Sequence, residues 1–454
     1  MGHFDKMDGR RPPARGLLVR MVTMTTQEGI EDSVVSHRLS HRAYAWLLFA
    51  VSIGLLLSDY MSRQVLNAVF PLLRQDWGLS DAQLGILSGV VAVMVGLLTF
   101  PLSLAADRFG RVKSIVAMAL LWSLATMACG LATNYGQMVL ARIFVGVGEA
   151  AYGSVGVAVL LSVFPVRLRA TITGTFMAGG VFGSVLGIAL GSHVAVMLGW
   201  RWAFQLMAGI GVVLALAYFA IARPEQDKAP NRIQSAAFVF SGATFRRLGA
   251  QLFSAQSVIF AYVGSGLQLF VASAFIAWMP SYLNRVYGMA TAQAGSAAAI
   301  FILLGGVGMI VCSVVADRAG QVARTRKLSF AIAYCLISFA AFTGAFLCPL
   351  GPAQLALLGV GMFFAAGVSG AAGAVVVNCT DPAIHATALA TLTLVNNLLG
   401  LAPGPIVTGL LADHSNLATA LQIVPFASLG AVVAFWFSRK YYDRDHARLA
   451  GAEI

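Results

Sequence analysis

The chain reads as an all-α membrane protein, with twelve transmembrane helices arranged as two pseudo-symmetric six-helix bundles. Three observations predict this. Of 454 residues, 59% are hydrophobic and only 11% charged, and the mean hydropathy is +0.81. A soluble domain carries about 25% charged residues, so these charges cannot coat a water-exposed surface of this size. The apolar residues also fall in continuous runs of about twenty or more, enough to cross roughly 30 Å of hydrocarbon at about 1.5 Å per residue, whereas membrane strands alternate polar and apolar over about ten. Finally, a motif recurs. Ser103-Leu104-Ala105-Ala106-Asp107-Arg108-Phe109-Gly110 and Ser313-Val314-Val315-Ala316-Asp317-Arg318-Ala319-Gly320 share the pattern Ser-x-x-Ala-Asp-Arg-x-Gly. Each copy closes an apolar run and precedes a basic cluster, Arg111 and Lys113 in the first, Arg324, Arg326 and Lys327 in the second. Two copies nearly half the chain apart indicate a duplicated bundle.

In chain order, residues 1–42 are polar, contain Pro12 and Pro13, and show no periodicity, which predicts a disordered tail. They hold no apolar core before a small-residue cleavage site and so do not read as a secretory signal. The first bundle, 43–222, has expected spans at 43–70, 81–105, 114–133, 136–164, 170–195 and 201–222. Residues 223–252 are polar and of mixed charge, which predicts a linker. The second bundle, 253–438, has expected spans at 253–283, 291–316, 328–349, 354–378, 386–411 and 418–438, followed by a tail at 439–454.

The charges between spans set the orientation. One side carries Arg108, Arg111, Lys113, Arg167, Arg169, the linker, Arg318, Arg326, Lys327, Arg439 and Lys440; the other has only sparse charge, at Arg74, Asp76, Asp81, Arg201, Arg285 and Asp413. By the positive-inside rule, both termini are expected in the cytoplasm, in a cell inner membrane. The same clustering removes the nucleic-acid reading that a net charge of +12 invites. Five cysteines fall in or beside apolar runs without a CxxC pair, and the histidines lack ligand-like spacing, so neither disulfides nor a metal site is expected. No Gly-rich turn precedes Lys-Ser/Thr, no Ser/His/Asp constellation is visible, and neither an enzyme nor a cofactor is expected.

These residues resemble the major facilitator superfamily over 43–438. The Asp-Arg-x-Gly-Arg loop after the second span is similar to its best-known signature, with Ser103 and Ser313 where the family usually has Gly, and Gly199-Trp200-Arg201-Trp202-Ala203-Phe204 is also typical. Ala141-Arg142-Ile143-Phe144-Val145-Gly146-Val147-Gly148-Glu149-Ala150, Ala277-Trp278-Met279-Pro280-Ser281-Tyr282-Leu283 and Asn396-Asn397-Leu398-Leu399-Gly400 resemble the bacterial spinster-like branch. The branch often has an acid directly before the first-span Arg, where this chain has Ser62. The resemblance implies alternating access, with the first and fourth spans lining a central cavity.

Ionisable groups at bilayer depth are costly and mostly functional. The deep set is Asp59, Arg63, Arg142 and Glu149. Asp59 and Arg63 are four apart and share a helix face, so they are expected to pair. Arg142 and Glu149 are two turns apart, roughly 10 Å along one face. Asp59, Glu149 and Arg142 are the candidate proton-coupling groups. Candidate substrate ligands are Arg63, Arg142, Tyr60, Tyr152, Asn396, Asn397 and Gln268, with an aromatic wall from Trp122, Phe176, Tyr262, Phe270 and Trp278. Asp107, Arg108, Gly110, Arg111, Arg169, Asp317 and Arg318 form a candidate conformational latch, with Asp107 against a neighbouring helix N-terminus and an Arg such as Arg169. Glycines 179, 183, 187 and 191, four apart, predict close helix approach, and Pro280 predicts a break and gate in the seventh span.

The function expected is a proton-coupled secondary transporter, monomeric, with protons, membrane lipids and an amphipathic lipid-like or lipophilic solute as partners. The alternatives are a small organic anion, such as a sugar acid or aromatic acid, as solute, and a non-transporting membrane sensor on the same fold.

Overall fold

The computed structural model describes residues 14–222, 252–322 and 325–452. The described residues up to Ala50 form one compact unit and those from Val51 another, and the packing below is that of the second. Among the described residues, twelve helices are long and apolar enough to cross a membrane. Spans 1–6 are Ala43–Trp77, Asp81–Phe109, Arg111–Leu131, Tyr135–Val163, Val166–Leu198 and Trp200–Ile221; spans 7–12 are Gln256–Val286, Thr291–Gln321, Arg326–Leu347, Pro352–Asn378, Thr387–His414 and Leu417–Leu449. The largest departures from the expected limits are at spans 1 and 12: the helical backbone of span 1 begins at Ala14, and span 12 continues helically to Ala452. Residues 1–13, linker residues 223–251 and Arg324 lie outside the described residues.

Span 12 continues because its polar end is docked. The buried Asp445 accepts the backbone N–H of Ser257 in the first turn of span 7 at 2.8 Å, and the Tyr442 hydroxyl accepts from Asn378 Nδ2 at 3.0 Å. A carboxylate at a helix N-terminus is stabilised by the unpaired amides and the dipole there.

The first copy of the motif turns where its glycine allows. Gly110 has φ +104°, open to glycine and strained for any other residue, and the chain passes there from span 2 to span 3. The second copy behaves differently: the helix runs through Gly320 to Val322. Span 2 opens on a capping box, with Ser80 Oγ accepting from Gln83 N–H at 3.2 Å and Gln83 Oε1 accepting from Ser80 N–H at 3.0 Å.

The glycine ladder of span 5 lies on span 1. A Cβ at Gly183 would fall 2.7 Å from the Leu57 carbonyl oxygen, one at Gly187 would meet Met61, and one at Gly191 would meet Val65. This approach fixes the rotation of span 1 and hence the face bearing Asp59 and Arg63.

Span 7 runs unbroken through Pro280, so the expected break and gate are absent. Its outer turn is pinned from two sides: Trp278 Nε1 donates to the Pro405 carbonyl at 3.0 Å and its ring packs on Phe70 at 5.2 Å. Breaks occur elsewhere. Span 4 interrupts at Ala150–Ala151, directly after Glu149, and Thr99 Oγ of span 2 donates to the freed Ala150 carbonyl at 2.7 Å. Span 11 widens to a π-helix over Asn396–Leu401, where Pro403 has no N–H to offer and Ala402 N–H donates instead to the Asn397 carbonyl at 2.9 Å. Between the bundles, the broad contacts are span 2 with span 11 and span 5 with span 8.

Candidate functional site

The deep charges converge between spans 1 and 4, with pairings other than those expected. Span 4's first half stops at Glu149, and this carboxylate takes the span 1 arginine: Arg63 Nη2 and Nε both donate to Glu149 Oε2, at 2.8 and 3.1 Å. The Glu149 side chain is fully buried and that of Arg63 is 19% exposed, so Arg63 is the member of the pair that reaches open space. It also lies over the half-buried Tyr60 ring, 5.3 Å from its centroid. Asp59, one turn before Arg63, is buried and forms no ion pair with Arg63 among the described residues, so the expected pairing is replaced by that of Arg63 with Glu149.

Arg142 has a different job. It is 0% exposed and spends its guanidinium on backbone carbonyls: Nε to Leu87 at 3.2 Å, Nη1 to Ser62 at 3.1 Å and Nη2 to Arg63 at 3.3 Å. A planar fork with five donors suits this role, tying span 4 to spans 1 and 2. Arg142 thus forms a strut on the helix that carries Arg63.

Two acceptors in this cluster, Asp59 Oδ1 and Glu149 Oε1, accept no hydrogen bond among the described residues. Buried polar atoms are rarely left so. The site holds two carboxyl groups beside one guanidinium and is one donor short.

Of the remaining expected ligands, only some sit at an open surface. Tyr152 is fully buried, its hydroxyl donating to the Ser52 carbonyl at 2.6 Å and its ring packed between Trp122 and Phe176. Gln268 is fully buried inside the second bundle, donating to Ser338 Oγ at 3.3 Å. Asn397 is buried, bonds back to the Thr393 carbonyl at 2.9 Å and packs against Gly96 of span 2. Asn396 and Tyr60 are half-buried. Of the aromatic wall, Trp122, Phe176, Tyr262 and Trp278 are core, and Phe270 is half-buried.

The motif residues are paired within their own bundles. Asp107 accepts from Arg111 Nε at 2.7 Å, one turn on, rather than from Arg169, which is exposed. Arg108 lies over Phe109 at 5.7 Å, Asp317 accepts from Lys327 at 2.7 Å, and Arg318 is exposed. Among the described residues no group of three His, Cys, Asp or Glu is placed to hold a metal.

At the opposite face lies a cluster that the sequence reading passed over as sparse charge. Asp81 accepts from Arg285 Nη1 and Nη2, both at 2.8 Å, and from Arg74 Nη1 at 3.2 Å, while Asp413 accepts the backbone N–H groups of Asp81 and Ala82 at 2.8 and 2.9 Å. One signal pointed to it: Asp413 sits at a helix C-terminus, where an acid is disfavoured unless it has a partner elsewhere.

A duplicated twelve-helix bundle with charges buried between spans 1 and 4 defines a secondary transporter, not an enzyme. The sequence profile of the Major Facilitator Superfamily matches residues 48–402, and the chain belongs to that superfamily, whose members move small solutes by alternating access. It is 26% identical to a probable L-galactonate transporter of Escherichia coli K12, over 69% of this chain and 70% of that one. It is 28% identical to probable sphingolipid transporter spinster homolog 1 of Arabidopsis thaliana, over 75% and 73% of the two chains. The crystal structure of a bacterial homologue of the human lysosomal transporter spinster, inward-facing and unoccupied, is similar in fold, with a TM-score of 0.77 at 19% identity, covering 88% of this chain and 98% of that one.

Proposed function

We propose that this transporter carries a small organic anion bearing a carboxylate, such as a sugar acid, together with a proton, and that the face bearing Asp107 and Asp317 is cytoplasmic. The observation that carries the proposal is the Arg63–Glu149 pair beside Asp59. Arg63 is the partly exposed cation of the cluster, and Glu149 already occupies it. A solute carboxylate can take Arg63 only when Glu149 is neutralised, and a proton shared between Asp59 and Glu149 does that. The anion then requires the proton, because without it a solute carboxylate would add a further uncompensated negative charge to a low-dielectric site. Arg142 acts as the strut that holds the span 1 face in place. The site is complete within one chain, and the resemblance to a probable L-galactonate transporter supports a carboxylate solute.

A second reading, an amphipathic lipid-like solute, is favoured by the similarity to a probable sphingolipid transporter and by the half-buried apolar side chains of Leu269, Phe270 and Leu399 in the second bundle.

The test is uptake into proteoliposomes under a pH gradient, alkaline inside, with a panel of sugar acids, aromatic acids and lysosphingolipids. Accumulation of an acid, accompanied by alkalinisation outside, is the expected result. Transport of lysolipid alone would select the second reading. Solute movement indifferent to the gradient would remove proton coupling, and no movement of any solute would favour a sensor.

A further inference from the structure

We propose that a groove between spans 3 and 4, on the outward surface of the first bundle, binds a membrane phospholipid, with one acyl chain in the groove and the headgroup phosphate on Arg201. The site is separate from the Arg63–Glu149 pair, and the inference does not depend on which solute or ion is carried.

The sequence builds the groove from short side chains. Residues 121, 125, 128 and 132 of span 3 recur at helical spacing and share one face, as do 137, 141 and 144 of span 4. Ala125, Ala132 and Ala141 lie buried at its base, while Leu124, Leu140 and Phe144 stand exposed along its edges. Alanines cannot fill the space between the two helices, and the longer side chains rise past them. The resulting cavity holds about 470 Å³. That falls within the roughly 300–1,000 Å³ of small-molecule sites. Gln137 is the one polar residue of its lining.

Position and length select the occupant. Spans 3 and 4 are long and apolar enough to cross a membrane, so exposed leucines on their outward surface meet hydrocarbon. From Leu121 to Ala132 the helix rises about 16 Å, roughly half the ~30 Å thickness of the hydrocarbon core. The groove thus runs from near the bilayer middle to the turn between spans 3 and 4, on the face opposite the Asp107 motif. This is the depth of one leaflet, and an acyl chain fills it without leaving a polar group unpaired.

The mouth supplies the headgroup contacts. Arg201 Nη2 donates to the carbonyl of Ala132, a residue of the groove, at 3.5 Å, which places the guanidinium at its end. Arg201 is otherwise loosely held. Its Nη1 donates to Asp76 at 3.4 Å, with both side chains 46% exposed, and it lies over the Trp200 ring at 4.2 Å. Both hydrogen bonds are at the long limit of such contacts, so the planar fork keeps donors for a phosphate, which it suits at two points. Gln137 Oε1 accepts from the Thr133 N–H and Oγ at 2.9 and 3.0 Å, which leaves its Nε2 as a second donor beside the groove. Asp76, held by Trp200 Nε1 at 3.1 Å, offsets the charge of Arg201. The headgroup that fits is therefore zwitterionic, with its phosphate on Arg201 and its ammonium beside Asp76. Exposed Trp202, next in the chain, marks the same level, since tryptophans gather at the membrane–water interface.

Photo-crosslinking of the purified, full-length protein in mixed micelles tests this, with a phosphatidylethanolamine carrying a diazirine midway along one chain and the adducts mapped by peptide mass spectrometry. Adducts are expected to concentrate within residues 121–144. Ala128 lines the groove and is exposed, so Ala128→Trp fills the groove without disturbing the core, and it is expected to cut this labelling about fivefold or more, whereas Leu216→Trp, at an exposed position of span 6, is expected to leave it unchanged. Arg201→Gln is expected to cut it about threefold to tenfold. The matching phosphatidylglycerol probe is expected to label the wild type less, and Asp76→Asn to remove that preference. Adducts spread evenly over the exposed surfaces of the twelve spans, or labelling undiminished in both Ala128→Trp and Arg201→Gln, would overturn the site. Equal labelling of the wild type by the two probes would overturn the zwitterionic headgroup.

Discussion

Arg142→Lys separates a strut from a ligand. The wild-type guanidinium makes three hydrogen bonds to carbonyls on two neighbouring helices, at 3.1, 3.2 and 3.3 Å, with no exposed surface. Lysine keeps the charge but offers one compact head, which reaches one of the three carbonyls well. Two charge-assisted bonds are lost, each about 1.5–3 kcal/mol by analogy with other charged donors. Ser62 and Arg63 lie mid-helix, where their carbonyls keep intrahelical partners, so the expected loss is about 2–4 kcal/mol of unfolding free energy. Reversible SDS titration of the purified protein in mixed micelles measures it, and initial rates of uptake measure the KM. The strut account predicts a clear drop in stability with KM within about threefold of wild type. Undiminished stability with a KM raised about tenfold or more would mean that the solute touches Arg142, and the reasoning would fail.

Two further substitutions probe the packing that orients the site. Gly183→Ala places a methyl 2.7 Å from the Leu57 carbonyl oxygen, so span 1 or span 5 must shift, at about 1–3 kcal/mol in the same titration, whereas Gly174→Ala, which meets nothing within 4 Å, is expected to stay within about 0.5 kcal/mol of wild type. Asp445→Asn removes the charged cap on the first turn of span 7 and is expected to cost about 1 kcal/mol, with faster amide exchange at Ser257 and Val258 as the local readout.

The spans were legible because hydrocarbon imposes a length and a composition that few other folds share. Gly110 was legible because its motif ends a helix. The pairings were not. Asp59 and Arg63 stand one turn apart, and that register predicts their pairing only while nothing else lies within reach of a long guanidinium; Glu149, on another helix, does. Arg142 was read as a charge seeking a charge, whereas its partners are carbonyls, which every residue carries and no sequence pattern displays. Pro280 was read by its usual effect in an isolated helix, yet here Trp278 is pinned to span 11 and Phe70, and the helix continues. The far-face cluster joins residues 81, 285 and 413, and each alone looks like an ordinary loop charge. Tyr152 and Gln268 are candidates by residue type, yet their polar atoms are engaged by Ser52 and Ser338 inside the bundles.

The central claim is that Asp59 and Glu149 share the coupling proton beside Arg63. The most direct measurement compares two modes of transport in Asp59→Asn and Glu149→Gln proteoliposomes: accumulation driven by a pH gradient, and solute counterflow at equal pH. The account predicts that both variants retain counterflow and lose gradient-driven accumulation. Accumulation at wild-type levels in either variant would contradict it.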